Sequence, residues 1–248
     1  MLVGAGPGAP DLITVRGLRA LQSADVVVFD RLLDRGLLEL ARPGAQLLYA
    51  GKEGGGEHTP QPEINAMLIE HARRGAKVVR LKCGDSFVFG RGGEEALALA
   101  QAGIRFEVIP GVSAGASVPA LANIPVTHRG ASTSVTFATG HTAKGEPDWA
   151  WLAGAQTLVL FMGAHKLREI CSKLVWHGRA ASTPAALIEA GSLPHQRITT
   201  GTLENLADRF ERDGVGSPAL LVIGEVVNVR EQLDALYAEA QQHQEAIR

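Results

Sequence analysis

Short β-branched runs that alternate with helix-like stretches constrain this chain more than any other feature. Residues 26–29, 47–49, 78–81 and 106–109 read as strands, and residues 15–23, 61–74 and 94–101 between them read as helices. That order is expected of a mainly parallel sheet whose faces are covered by helices. Thr14 is placed to cap the first helix, and Thr59-Pro60 opens the second with proline near its first turn.

After Pro110-Gly111 comes a run of small residues, 112–123, and then Ile124-Pro125-Val126, an extended piece suited to a linker. The expected domains are therefore 1–123 and 124–248, both α/β. The second half carries strand-like runs at 134–138, 157–162, 185–189, 197–203 and 219–223, with helices near 166–174, 203–212 and 229–241, which suggests some antiparallel pairing. The 24 Lys+Arg against 26 Asp+Glu give no basic bias, so nucleic acid is not the expected partner. Two cysteines in unrelated contexts, Cys83 and Cys171, argue against a disulfide framework or a structural zinc site and fit a reducing cytoplasm. No run is long and apolar enough for a membrane span.

Gly4-Ala5-Gly6-Pro7-Gly8-Ala9 follows the first apolar residues, and Asp30 ends the next strand. Gly4, Gly6 and Ala9 thus satisfy the dinucleotide fingerprint formally, with an acid at about the right distance. Pro7 speaks against it, because that fingerprint aims backbone N–H groups at a pyrophosphate and proline has none. Asp11 places an anion where phosphates would lie. The loop is better suited to an uncharged or zwitterionic ligand close against the backbone.

Further segments stand in a characteristic order. They are Gly51-Lys52 with His58, Gln61 and Asn65; residues 81–95, including Cys83-Gly84-Asp85-Ser86, Val88 and Gly90-Arg91-Gly92-Gly93-Glu94; Pro110-Gly111-Val112-Ser113-Ala114; and Thr127-His128-Arg129. Together with the first loop they resemble the uroporphyrinogen-III C-methyltransferases, from Val3 to about Glu225. The resemblance implies the two-domain α/β tetrapyrrole methylase fold, with a cofactor cleft between domains and S-adenosyl-L-methionine as cofactor, leaving as S-adenosyl-L-homocysteine. The cofactor contacts it implies are Pro7, Cys83, Gly84, Asp85, Val88, Ser113, Ala114, Met162 and Gly191. This chain has Cys83-Gly84-Asp85-Ser86 where the family usually has Gly-Gly-Asp-Pro, and Ser113 where it has threonine.

The implied substrate, uroporphyrinogen III, carries acetates and propionates, which call for cationic and hydrogen-bonding groups. The resemblance makes Asp30 a proton acceptor, Lys52 a proton donor and Arg91 a third catalytic residue, with His58, Gln61, Glu94 and Arg129 as substrate contacts. It implies methylation of two ring carbons in turn to give precorrin-2, by a homodimer, without a metal. Three alternatives stay open: another enzyme of the same fold (a later precorrin methyltransferase, a diphthine synthase or an rRNA ribose methyltransferase), a nicotinamide-dependent oxidoreductase using residues 4–9 and Asp30, and a non-catalytic binding module.

Overall fold

The computed structural model describes residues 1–51, 59–142, 145–213, 216 and 218–246. They divide into two compact units, Met1–Ala114 and Gly115–Arg248.

The first unit is a five-stranded sheet in the order β3-β2-β4-β1-β5, made of β1 (Leu2–Gly4), β2 (Val26–Phe29), β3 (Gln46–Tyr49), β4 (Val78–Lys82) and β5 (Val108–Ile109). Every pairing is parallel. Helices α1 (Val15–Gln22), α2 (Arg35–Glu39), α3 (Gln61–Arg73) and α4 (Gly92–Gln101) form the crossovers. Strand alternation sorts the side chains onto two faces. Val3, Val27, Val79, Leu81 and Ile109 pack with Ala20 and Leu21 of α1 and Leu37 of α2. Leu2, Val26, Val28 and Val78 pack with Ile64 and Leu68 of α3 and Ala96 and Leu99 of α4. Thr14 does cap α1: its hydroxyl accepts a hydrogen bond from the Gly17 N–H at 3.1 Å. The sheet is parallel as the alternation predicts. The short helix α2, too brief to show a periodicity, is an element of this unit that the sequence did not reveal.

The second unit begins with α5 (Ala114–Leu121) and contains a sheet ordered β6-β7-β10-β8-β9, from β6 (Val135–Thr139), β7 (Thr157–Phe161), β8 (Pro184–Glu189), β9 (Arg197–Thr202) and β10 (Ala219–Ile223). Only β6 and β7 run parallel; the other pairings are antiparallel. Helices α6 (Trp149–Ala153), α7 (Leu167–Trp176), α8 (Leu206–Asp213) and α9 (Val227–Ala246) complete it. Trp149, Leu158, Leu160, Ile170, Leu174, Leu187, Phe210 and Leu221 lie together in its core.

The division between units falls ahead of the 123/124 boundary expected from the sequence. The small-residue run is a helix, and it packs within the second unit. A Cβ on Gly115 would stand 2.8 Å from the Phe161 ring, and one on Gly191 would stand 2.5 Å from Val118. Glycine at those two points lets α5 lie against its neighbours at close range. Pro119 lies inside α5 and withholds one backbone N–H from its hydrogen-bond ladder.

Candidate active site

The loops that leave β1, β4 and β5 meet at the carboxyl ends of the parallel strands, where open α/β sheets bind their ligands. They are locked by backbone. Gly6 and Gly84 form an antiparallel bridge, the Gly84 N–H donating to Gly6 O at 2.6 Å and the Gly6 N–H to Gly84 O at 3.2 Å. A Cβ on Gly4 would lie 2.5 Å from the Gly111 nitrogen, and one on Gly111 would lie 2.3 Å from the Gly84 carbonyl. The glycines of the first loop thus serve close packing of three loops.

That geometry removes the dinucleotide reading. The Gly6 N–H is committed to Gly84, a 3-10 turn over Pro10–Leu12 separates the glycines from α1, and the α1 N-terminus is filled by Thr14. No glycine-rich loop opens directly into the helix, as a pyrophosphate site requires.

Pro7, Cys83, Gly84, Asp85, Val88, Ser113 and Ala114 are gathered on these loops. Pro7 is buried, and its carbonyl lies 3.6 Å from the Cys83 Sγ, which donates to it. Burial first, and the Asp30 charge second, push the Cys83 thiol up from 9.0 to about 11. Left-handed backbone falls on Gly84, with φ of 69°, and not on Cys83, so cysteine adds no backbone strain in place of the family's glycine. Asp85 spans two loops: Oδ1 accepts from the Phe87 N–H at 2.8 Å and Oδ2 from the Gly111 N–H at 2.9 Å. Val88 is half-buried and donates its N–H to Asp85 O at 3.2 Å. Ser86, standing where the family has proline, is fully buried, and its hydroxyl has no protein partner among the described residues.

Beside these loops lies a cluster of buried charges. Arg80 and Lys82 alternate along β4 on the face covered by α3 and α4, with exposures of 2% and 4%. Glu95 of α4 is fully buried between them, its Oε1 accepting from Arg80 Nε at 2.9 Å and Lys82 Nζ at 3.0 Å. Gln61, at the start of α3, donates to the same Oε1 at 3.3 Å and to Asn65 Oδ1 at 3.0 Å. Val28 pairs with Arg80 and Phe29 with Leu81, so Asp30 comes next in register opposite Lys82. Arg80 Nη2 donates to Asp30 Oδ1 at 2.6 Å, while Lys82 Nζ stands 3.7 Å from Oδ2. Two cations and two carboxylates balance where water is largely excluded, so each charge depends on the others.

The remaining sequence-assigned residues are dispersed. Lys52 and His58 lie outside the described residues. Arg91 is the N-cap residue of α4, held in left-handed backbone with φ of 58°. Its guanidinium grips Glu94 with two hydrogen bonds, 2.9 and 2.7 Å. That pairing holds the Glu94 carboxyl below its ordinary range and raises the arginine. Both are more than half exposed, so the pair is readily exchanged for another anion. In the second unit, Arg129 is exposed, Met162 follows β7 with φ of 56° and 54% exposure, and Gly191 follows β8 between Ala190 (φ 47°) and Ser192 (φ 71°). Non-glycine residues in left-handed backbone are costly and concentrate at functional loops. Among the described residues no group of three or more His, Cys, Asp or Glu is placed to hold a metal ion.

Sequence reasoning missed Arg80, Lys82 and Glu95. The signal was present: a buried parallel strand reads as a continuous apolar run, so Arg80 and Lys82 two apart in β4 demand buried anions.

A doubly wound parallel sheet with a glycine-locked loop cluster at its carboxyl edge, joined to a second mixed α/β unit, defines the class. The chain belongs to the tetrapyrrole (corrin/porphyrin) methylases, whose family pattern matches residues 1–207. It is similar to a siroheme synthase from Azotobacter vinelandii, 50% identical over 235 residues that cover 94% of this chain and 51% of that protein. The chain thus spans about half the length of the curated relatives it matches. Among solved structures it resembles a uroporphyrin-III C-methyltransferase from Thermus thermophilus complexed with S-adenyl homocysteine, with 41% identity, a TM-score of 0.80 and coverage of 92% of this chain and 98% of that one. A cobalt precorrin-4 methyltransferase matches with 28% identity and a TM-score of 0.81, over 91% of this chain and 94% of that one.

Proposed function

We propose that this chain is an S-adenosylmethionine-dependent uroporphyrinogen-III C-methyltransferase that methylates two ring carbons in turn and releases precorrin-2. The observation that supports this reading is the loop cluster formed by Pro7, residues 83–88 and 111–114, which gathers the first-unit positions to which the family resemblance assigns cofactor contacts. Its chemistry fits that ligand: tightly packed backbone and small side chains offer carbonyls and N–H groups and no cationic cradle for phosphates. Asp85 retains a second lone pair on each oxygen for a ribose hydroxyl or an ammonium group. Met162 and Gly191 enter the proposal by sequence position alone.

The bound cofactor supplies an electrophilic methyl on a sulfonium, and the pyrrole carbon is the nucleophile. What the chain must do is align the two in line and accept a proton. Asp30, at the carboxyl end of β2 and 31% exposed, is the proposed proton acceptor. Lys52 is the proposed donor. Arg91, freed from Glu94, is proposed to hold a substrate carboxylate with its planar fork. Gln61, His58, Glu94 and Arg129 complete the proposed substrate contacts, although Gln61 serves Glu95 in the geometry described above. The fold's other methylase activities remain the second reading, favoured by the precorrin-4 methyltransferase likeness.

We further propose a cytoplasmic homodimer. No helix among the described residues is long and apolar enough to cross a membrane. Sedimentation at micromolar concentration tests the dimer, and a strict monomer contradicts it. Titration with S-adenosylhomocysteine, NAD and NADP tests the cofactor: binding of the first alone is expected, and binding of a dinucleotide alone sinks the proposal.

A further inference from the structure

Among the described residues of the first unit, Glu95 is the one carboxylate wholly sealed from water, and it is itself assigned to neither cofactor nor substrate by the family resemblance. It sits between two cations, and all its hydrogen bonds converge on Oε1, leaving Oε2 buried without a protein partner among the described residues. A buried carboxylate so placed has to offset a large desolvation cost. Its nearest consequence lies at Asp30. Arg80 anchors Oδ1 of Asp30 at 2.6 Å, whereas Lys82 reaches Glu95 at 3.0 Å and stops 3.7 Å short of Asp30 Oδ2, beyond hydrogen-bond distance. Oδ2 accepts no hydrogen bond from a described residue.

We propose that Glu95 is a positioning residue: it holds the Lys82 ammonium away from Asp30, so that one carboxylate oxygen is fixed by Arg80 and the other is left to take a proton from the substrate. The inference rests on the assignment of Asp30 as proton acceptor. Among the described residues, the groups facing Asp30 are Arg80 and Lys82 from β4, Cys83 just beyond it, and Glu95 from α4 acting through the two cations. Without the Glu95 charge, two buried cations share one anion. The shortest remedy is for Lys82 to move under one ångström onto Oδ2. The carboxylate would then be doubly satisfied and a poor proton acceptor.

The test is a set of four variants assayed for methyl transfer, with KM for both substrates, S-adenosylhomocysteine affinity and thermal unfolding measured alongside. Glu95→Gln should lower kcat at least about tenfold while KM and product affinity stay within about twofold, because only the proton step is touched. Adding Lys82→Met to Glu95→Gln should restore kcat to within about threefold of the unaltered enzyme, since the intruding ammonium is gone. That double variant keeps the Arg80–Asp30 pair and a neutral interior, so it informs even if the single variant does not fold. Glu95→Asp, which keeps the charge, should exceed Glu95→Gln in kcat. A double variant no better than, or worse than, Glu95→Gln overturns the proposal and leaves Glu95 a structural brace. Asp30→Asn separates the two levels of the reading. If it abolishes turnover while Glu95→Gln does not, the Glu95 proposal fails alone; if Asp30→Asn keeps full activity, the proton-acceptor assignment fails and the inference falls with it.

Discussion

Arg91 shows how a residue's isolated identity and its place in the fold give different answers. An arginine at a helix start is ordinarily a solvated surface group, but this one is held in left-handed backbone and fastened to Glu94 by both arms of its guanidinium. If that fork is kept ready for a substrate carboxylate, Arg91→Ala should lower methyl transfer at least about a hundredfold, or about 3 kcal/mol, with S-adenosylhomocysteine affinity unchanged. Arg91→Lys should not rescue it, because a point charge lacks the fork. Loss of cofactor binding instead would move Arg91 to the cofactor site, and full activity would return it to the surface. Cys83 yields a second prediction. Its pKa is raised to about 11 in the folded chain, so folding favours the protonated thiol; that stabilisation is complete below pH 9.0 and is lost as pH rises through about 11. Iodoacetamide at about pH 8 should therefore label Cys83 in the native chain far more slowly than in the urea-unfolded chain, as read by the mass of the proteolytic peptide that carries it. Equal rates would contradict the burial. The sequence showed both residues plainly. It could not show the Asp30–Arg80–Glu95–Lys82 cluster, because those pairings depend on the register of β2 against β4 and on which face of α4 meets the sheet.

Among the elements, the three loops at the carboxyl edge of the first sheet decide whether a site exists at all. Their glycines are not equivalent. Gly111 has no room for a Cβ, which would stand 2.3 Å from the Gly84 carbonyl, whereas Gly84 has space, its nearest neighbour being the Ala114 nitrogen at 3.6 Å, but adopts φ of 69°. Gly84→Ala should therefore cost about 1 kcal/mol in urea unfolding, the price of left-handed backbone. Gly111→Ala should cost more than about 2 kcal/mol, because backbone must shift, and should also weaken S-adenosylhomocysteine binding. The reverse ranking would contradict the loop packing. The parallel character of this sheet was legible in the alternation of apolar runs and helices, whereas its strand order was not. α5 was not, because a run of alanine, glycine, valine and serine with Pro119 in it carries no hydrophobic period. Its helical form follows from packing against Phe161 and Gly191, which only the folded second unit supplies. The dinucleotide fingerprint was the opposite case, a pattern present in sequence that the fold does not use. Gly6 and Gly84 spend their backbone groups on each other.

At the scale of the whole molecule, family membership rests on residues 1–207, and the same fold serves several tetrapyrrole methylases, so the fold alone does not choose the substrate. The proposal of uroporphyrinogen III as substrate rests on the family resemblance carried by residues 82–95 with Arg91 and by Thr127-His128-Arg129. The most direct test supplies the purified chain with uroporphyrinogen III and radiolabelled S-adenosylmethionine under anaerobic conditions. Two methyl groups should be transferred per macrocycle, with S-adenosylhomocysteine released in equal number and an isobacteriochlorin chromophore appearing on oxidation. Failure to label uroporphyrinogen III, together with methylation of a later precorrin by the same preparation, would contradict the account.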